Sequence, residues 1–366
     1  MTFTSVVDSE LNPFPGKIFT SPADNTDGDW AQYGCFEHVD YSGFSEITKD
    51  VFLGILTGDK ERVQKATGRE NPKVLNAGLD DTVFAYYLDH GNVKVISVGW
   101  DYVQDYELVE AIKTAHDKKL YGKWFWLFDA CYAGTMFRDL PSTLNFYVAS
   151  GADDMHEALM SNCPPGEDIV AGKDLNTCLS VLFEDSFLGY LDDHPDCTLG
   201  EIVDFTKKDV AKTSEQNISE YGDLSMRELR VSEFMGTVES SSTKQSKQSE
   251  GVLYSEVPTH LAKWKAIRGG EEAMAEYQSK VFDDARIEIE SMRMGRLVLS
   301  ESQVDKAVRG EEEGYSAECV AELALDYARH CKHQIPLAKI SMSIIRSICN
   351  TKMEKPTIDF DDVCIF

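Results

Sequence analysis

Two short stretches of this chain hold residue types that do chemistry together. Asp89-His90-Gly91 follows the apolar, aromatic-rich run Thr82 to Leu88, and Asp129-Ala130-Cys131-Tyr132-Ala133-Gly134 follows a second such run, Lys123 to Phe128. A thiol beside an imidazole loses its proton readily, because a protonated histidine favours the thiolate, and the thiolate is the nucleophile. The small residues Ala130, Ala133 and Gly134 leave room for a peptide backbone. The N–H groups of Gly91 and Cys131 are candidates to hold a developing oxyanion. Taken singly, a histidine is usually a surface or core residue and a cysteine a small buried hydrophobe. His38, His116, His156, His194, His260, His330 and His333 have no comparable setting.

The order of elements is what would bring the pair together. TVFAYYL (Thr82 to Leu88) reads as a buried strand. Residues 105–118 then set Leu108, Val109, Ile112 and Ala115 on one helical face. KWFWLF (Lys123 to Phe128) is a second buried strand, and Asn145 to Ser150 a third. Strand, helix, strand is a crossover whose strands run parallel, and ligands bind at the carboxyl ends of such strands. His90 and Cys131 are therefore expected at one sheet edge of an α/β fold. The first 45 residues, rich in Pro, Gly, Asn, Asp and Ser, read as loops, and a helix from Ile47 to Leu56 ends at Gly58. Residues 237–251 form a polar, Ser-rich linker. Beyond it, residues 252–366 read as a small all-helical domain, with helices such as Glu271 to Arg293 and Glu318 to His330, that cysteines would staple.

Composition narrows the partners. The net charge is -27, with 19 Lys+Arg against 41 Asp+Glu in residues 1–236 and 15 against 20 in residues 252–366. Such a surface repels nucleic acid and anionic membranes. No run of 18 apolar residues offers a membrane span, and nothing calls for a cofactor or metal. The start lacks the basic end and apolar stretch of a secretory signal. Yet four of nine cysteines fall in the last 48 residues, and Cys163 and Cys178 flank one loop-like stretch, which suggests disulfides and an oxidising compartment. An upstream leader would reconcile the two. Asn217-Ile218-Ser219 is a candidate glycosylation sequon.

At these residues the chain resembles the legumains, or asparaginyl endopeptidases. The likeness runs from Asn12 to Cys364 and rests on DYSG (Asp40 to Gly43), LDHG (Leu88 to Gly91), DACYAG, PSTLNFYVASGA (Pro141 to Ala152) and four terminal cysteines in the expected order. It implies a caspase-like, mostly parallel sheet flanked by helices over residues 1–236, then a disulfide-stapled inhibitory prodomain over residues 252–366. It implies a cysteine endopeptidase acting on protein or peptide substrates after Asn or Asp, through a thioester on Cys131. In that reading His90 is the base and Gly91 helps the oxyanion hole. Asp89 matches a position that can become a succinimide. The likeness also implies the pairs Cys319 with Cys349, Cys331 with Cys364, and Cys163 with Cys178, leaving Cys35 and Cys197 free or paired. The location it implies is lysosomal, vacuolar or secreted.

Several positions depart from the family pattern. Asp129 stands where the family has Glu, Glu157 and Ala158 where it has paired serines, and Val181 where it has an acidic residue lining the specificity pocket. The family's signal, first strand and a loop bearing an Asn and an Arg would precede this start. No Asn lies between Gly222 and Ile348, so a processing cut is expected at Asp283 or Asp284, or from another protease. Two readings of other classes stand beside the protease: a truncated or impaired legumain-like chain, and a glycolipid-anchor transamidase. Peptide ligation through the same thioester is a further outcome.

Overall fold

The computed structural model describes residues 12–22, 39–43, 45–236, 251–309, 314–350 and 356–365. The expected linker, apart from Gly251, lies outside them, as does Cys35. Helices α1 (Lys49–Leu56) and α2 (Lys60–Thr67) come first. Strand β1 (Thr82–Leu88) is followed by β2 (Gly91–Asn92), β3 (Val95–Val98), β4 (Asp101–Gln104), helix α3 (Asp105–Asp117) and β5 (Lys123–Asp129). Next come β6 (Phe146–Ser150), β7 (Leu159–Ser161), β8 (Ile169–Val170), β9 (Lys173–Asp174) and β10 (Ser180–Val181). Helices α4 (Leu182–Asp193) and α5 (Leu199–Val210), strand β11 (Ser219–Gly222) and the single-turn α6 (Ser232–Met235) follow. The C-terminal part holds β12 (Val252–Leu253), α7 (Val257–Arg268), α8 (Glu271–Val298), α9 (Glu301–Val308), α10 (Ala317–His330) and α11 (Lys339–Cys349).

The central sheet has the order β1-β5-β6-β11, parallel except for β11. Side chains alternate across β5, so both faces must be covered. Trp124, Trp126 and Phe128 pack with Leu108, Ala111, Ile112 and Ala115 of α3 on one face. Phe125 and Leu127 pack with Phe183 and Phe187 of α4 and Ile202 and Val203 of α5 on the other. The chain is thus mixed α/β with a mainly parallel sheet between helical layers. Helix starts are set by side-chain caps: Thr48 accepts the N–H of Val51, and Gln104 and Glu107 form a capping box at α3.

Three sequence expectations need correction. Strand β1 was expected to be buried, yet only Tyr87 is; Tyr86 and Leu88 are exposed, because β1 ends the strand order and pairs on one side. The crossover from β1 to β5 is not helix alone, since the antiparallel strands β2, β3 and β4 precede α3. Runs of two to four residues are too short to show a period. Residues 252–366 are not all helical, because β12 pairs with β7 of the preceding part.

The C-terminal helices close on an apolar cluster containing Leu323, Ala324 and Tyr327 of α10 and Ile344, Ile345 and Ile348 of α11. Disulfides join Cys319 to Cys349 and Cys331 to Cys364, 30 and 33 residues apart, and Cys163 to Cys178. Closing a loop of that length stabilises a fold by about 3–4 kcal/mol, mostly through the unfolded chain. The double variant Cys331→Ser, Cys364→Ser is expected to lose about 3 kcal/mol, read as a lower thermal midpoint. An unchanged midpoint would show that the bond adds nothing.

Candidate active site

The β1–β5 ladder ends with Leu88 opposite Asp129. His90 and Cys131 stand two residues past these partners, so they leave the sheet at one height and on adjacent strands. The N–H of Asp89 donates to the Asp129 carbonyl at 3.4 Å, which extends the contact one residue beyond the ladder. Gly91 then passes so close that a Cβ there would lie 2.6 Å from the Cys131 carbonyl oxygen and 3.0 Å from the Ala130 Cβ. Only a glycine fits that approach. Tyr132 adopts a left-handed backbone, φ 57°, as the chain turns sharply after Cys131.

Burial governs the electrostatics of the site. It pushes the fully buried Cys131 thiol well above its ordinary range, and Glu157 adds to the rise. The His90 ring keeps an exposed edge, yet the atoms packed round it lower its pKa by desolvation. In this conformation burial therefore disfavours both the thiolate and the imidazolium. Burial raises Asp89 to about 6, although its carboxylate accepts the His90 N–H at 2.7 Å.

Beside the thiol lies a set of buried carboxyls. Asp129 is fully buried, and neither of its oxygens has a hydrogen-bond partner among the described residues. Burial, then the charge of Glu184, pushes it up to about 8. Glu184, in the first turn of α4, is also raised by burial, and accepts the Tyr86 hydroxyl at 2.9 Å. Gly151 makes space for this arrangement: a Cβ there would sit 2.1 Å from Asp129 Oδ1. Glu157 is raised by burial too, while the Ser255 N–H donates to it at 3.1 Å.

A segment of the chain's own C-terminal part occupies this place. Strand β12 pairs antiparallel with β7, Val252 opposite Met160 and Leu253 opposite Leu159, and the Tyr254 N–H donates to the Ala158 carbonyl at 3.3 Å. Tyr254 is buried, its ring edge-on to that of His90 with centroids 5.8 Å apart. Its hydroxyl has no hydrogen-bond partner among the described residues. Burial, and then Asp129, raise its pKa well above the ordinary phenol range. Cys131, Ala158, Val181 and Tyr254 share one apolar cluster with the C-terminal helices.

Of the expected pocket residues, Asp129 and Glu157 act on the Cys131 thiol, and Ala158 and Val181 belong to the same apolar cluster as Cys131. Glu184, Tyr86 and Tyr254 were not foreseen. The only signal for them was an acidic pair, Glu184-Asp185, opening an apolar helix, and an aromatic residue just past the Ser-rich stretch. Asn217 is exposed and donates to Asp153 at 2.8 Å. Cys197 is free and buried, and burial raises it to about 11. The described residues include one grouping of metal-ligand types, Glu290, Cys331 and His333, but the Cys331 sulfur is bonded to Cys364. Among the described residues no helix is long and apolar enough to cross a membrane.

Comparison with known proteins agrees with the site. A family model described as the peptidase C13 family matches residues 1–237. A hemoglobinase of Schistosoma mansoni is 29% identical over 266 residues, 71% of this chain and 56% of its own. Legumain of Mus musculus is 28% identical over 245 residues, 64% of this chain and 50% of its own. A vacuolar-processing enzyme of Vicia sativa is 28% identical over 241 residues, 64% and 46% of the two chains. The chain spans about half the length of the curated relatives it matches. With the family match covering well over half of its residues, and His90 and Cys131 each two residues past the end of paired parallel strands, the chain belongs to the peptidase C13 family.

Proposed function

We propose that this chain is a cysteine endopeptidase that hydrolyses peptide bonds through Cys131 and His90, held closed by its own residues 252–366. The observation that carries the reading is the in-register departure of His90 and Cys131 from two paired parallel strands. In the reaction His90 takes the thiol proton and the thiolate attacks the scissile carbonyl carbon. The proton passes to the leaving amine, and water then hydrolyses the thioester. N–H groups of Gly91 and Cys131 would hold the oxyanion. An amine in place of water gives ligation. The name of the vacuolar-processing enzyme points to a vacuole, and we carry a vacuolar or lysosomal location over as part of the proposal.

Cleavage after Asn, as in the legumains, is the family expectation. The pocket residues support it less than they support the peptidase itself. A carboxamide needs a donor for its oxygen as well as an acceptor for its nitrogen, and the polar groups acting on Tyr254 are the carboxyls of Asp129 and Glu184, the Cys131 thiol and the Tyr86 phenol.

Closure by the C-terminal part is supported by contacts that bridge it to the first. Arg268 of α7 forms a bidentate pair with the buried Asp168 at 2.7 and 2.9 Å. Lys94 pairs with Glu318 of α10 at 2.8 Å, His260 meets the Pro164 carbonyl at 2.6 Å, and the Arg346 guanidinium lies 5.2 Å over the Tyr132 ring. Burial alone would raise Asp168, but Arg268 and the Asn176 N–H hold it below its ordinary range. Lys94 lowers Glu318 in the same way. A depressed carboxyl stabilises the closed form above the unfolded value of about 4 and stops doing so as pH falls through its folded value. The pairs therefore let go in acid.

Two tests follow. A thiol-reactive peptide probe is expected to label the chain carrying Tyr254→Gly at least about ten-fold faster than the parent, a loss of roughly 1.4 kcal/mol of closure. Cys131→Ala should abolish that labelling, and equal labelling with and without Cys131 would remove the nucleophile assignment. Arg268→Gln should speed reaction of Cys131 with a small disulfide reagent at neutral pH, the gap from the parent closing below pH about 4 as Asp168 protonates. A gap that persists into strong acid, or none at neutral pH, would exclude Arg268 and Asp168 as the latch.

A further inference from the structure

Four residues from separate stretches of the C-terminal part meet at one buried point. Glu290 comes from within α8, Cys331 caps the end of α10, His333 follows two residues later, and Cys364 lies beyond α11. The Glu290 carboxylate is fully buried, and its Oε2 faces the His333 Nε2 at 2.6 Å. An oxygen of Glu290, the Cys331 Sγ and a ring nitrogen of His333 all lie within 4.8 Å of one another. The Cys364 Sγ is bonded to that of Cys331 and so belongs to the same cluster. Both cysteines are buried, and the His333 side chain is 3% exposed. Neither Cys319–Cys349 nor Cys163–Cys178 belongs to such a grouping among the described residues.

Two thiolates, an imidazole and a carboxylate make the donor set of a closed tetrahedral zinc site, where bonds of about 2.0–2.3 Å put neighbouring donors roughly 3.3–3.8 Å apart. The atoms here already converge on that scale. An ion fits once the two sulfurs separate and the Glu290 and His333 atoms draw slightly apart. The surroundings hold the ligands as the outer shell of a metal centre does. The Ile365 N–H donates to Glu290 Oε1 at 2.5 Å, and the Tyr327 hydroxyl donates to Oε2 at 3.5 Å. The Tyr327 ring packs edge-on against the imidazole, with centroids 4.9 Å apart. Zn²⁺ with two thiolates and a carboxylate leaves one negative charge in excess, and the Arg286 guanidinium, 3.8 Å from Oε1, offsets it.

We propose that reduction of the Cys331–Cys364 bond turns this point into a zinc site held by Glu290, Cys331, His333 and Cys364. The C-terminal part is then stapled by a disulfide where the surroundings oxidise and by a metal where they reduce. A dithiol reductant gives two electrons and two protons to the sulfur–sulfur bond and itself closes to a disulfide. Zn²⁺ displaces both new thiol protons to solvent, and His333 binds through Nε2 with its ring proton carried on Nδ1. The metal ties α8 and the end of α10 to the segment bearing Cys364, as the disulfide ties α10 to it. Ligands that only the folded chain brings together add their metal affinity to its stability. The inference stands apart from the peptidase reading.

The test uses the full chain carrying Cys131→Ala, so that a free thiol near His90 offers no rival site. It is reduced without oxygen by a water-soluble phosphine, which leaves as its oxide with the oxygen and both thiol protons drawn from water, and thiols are counted to confirm the reduction. Titration with Co²⁺ is expected to give the visible bands of a tetrahedral ion and a thiolate charge-transfer band, with Zn²⁺ bleaching both. The unreduced chain should give neither. Glu290→Gln and His333→Gln should each weaken Zn²⁺ binding at least about ten-fold, and Cys331→Ser with Cys364→Ser should remove the bands. A measurement free of further substitution guards against poorly folded variants: Zn²⁺ should raise the thermal midpoint of the reduced chain and leave that of the unreduced one in place. No cobalt bands after full reduction, bands that survive loss of Cys331 and Cys364, affinity indifferent to Glu290→Gln and His333→Gln, or a reduced chain whose midpoint ignores Zn²⁺ would overturn the proposal.

Discussion

The parallel pairing of β1 with β5 is the constraint from which the rest follows. Parallel strands require a crossover, and the crossover brings both carboxyl ends to one edge. With Leu88 opposite Asp129, residues equally spaced past the ladder meet. A one-residue slip would turn every side chain to the other face of the sheet. The aromatic core fixes that register: Trp126 and Phe128 face α3, while Phe125 and Leu127 face α4 and α5. The tight passage of Gly91 over Cys131 then has no slack, since any side chain there would collide with backbone.

Once the C-terminal part covers this edge, desolvation replaces attraction as the dominant electrostatic effect. Burial raises Cys131 and lowers His90, so both shifts disfavour the thiolate–imidazolium pair. In the proposed reading, covering the site would suppress its chemistry by filling the space and by disfavouring the thiolate. The carboxyls respond to pH with opposite signs. Asp168 and Glu318, held low by their cations, favour closure above the ordinary carboxyl range and lose that effect in acid. Asp129, raised to about 8, and Glu157 and Glu184, also raised, favour the buried state in acid and oppose it as pH rises toward 8. The pocket and the latch thus pull against each other, and the net response depends on which set is larger.

The sequence carried the main architecture because its strongest signals are local. The apolar runs at Lys123 to Phe128 and Asn145 to Ser150, and the helical face of residues 105–118, correspond to β5, β6 and α3. From these the departure of His90 and Cys131 from adjacent parallel strands at one sheet edge could be read. The short strands β2 to β4 could not, since two to four residues are too few to show a period. Glu184 and Tyr254 were equally hidden. Each belongs to the site through tertiary placement alone, and 70 residues separate them in the chain. Burial of β1 was misjudged for a related reason: an apolar run shows what a strand is made of, and the number of its neighbours is a property of the sheet.

A resident segment in a binding pocket must be held firmly and still be displaceable, and the environment of Tyr254 meets both demands. Tethering raises its effective concentration far above that of a free peptide, so even modest contacts keep it in place. The contacts are modest at the tip. The phenol hydroxyl and both oxygens of Asp129 stay unpaired, and each such buried group forgoes about 1–3 kcal/mol. Had the pocket end been satisfied, the strand pairing of β12 with β7 and the apolar burial of the ring would have made the closed form hard to reverse.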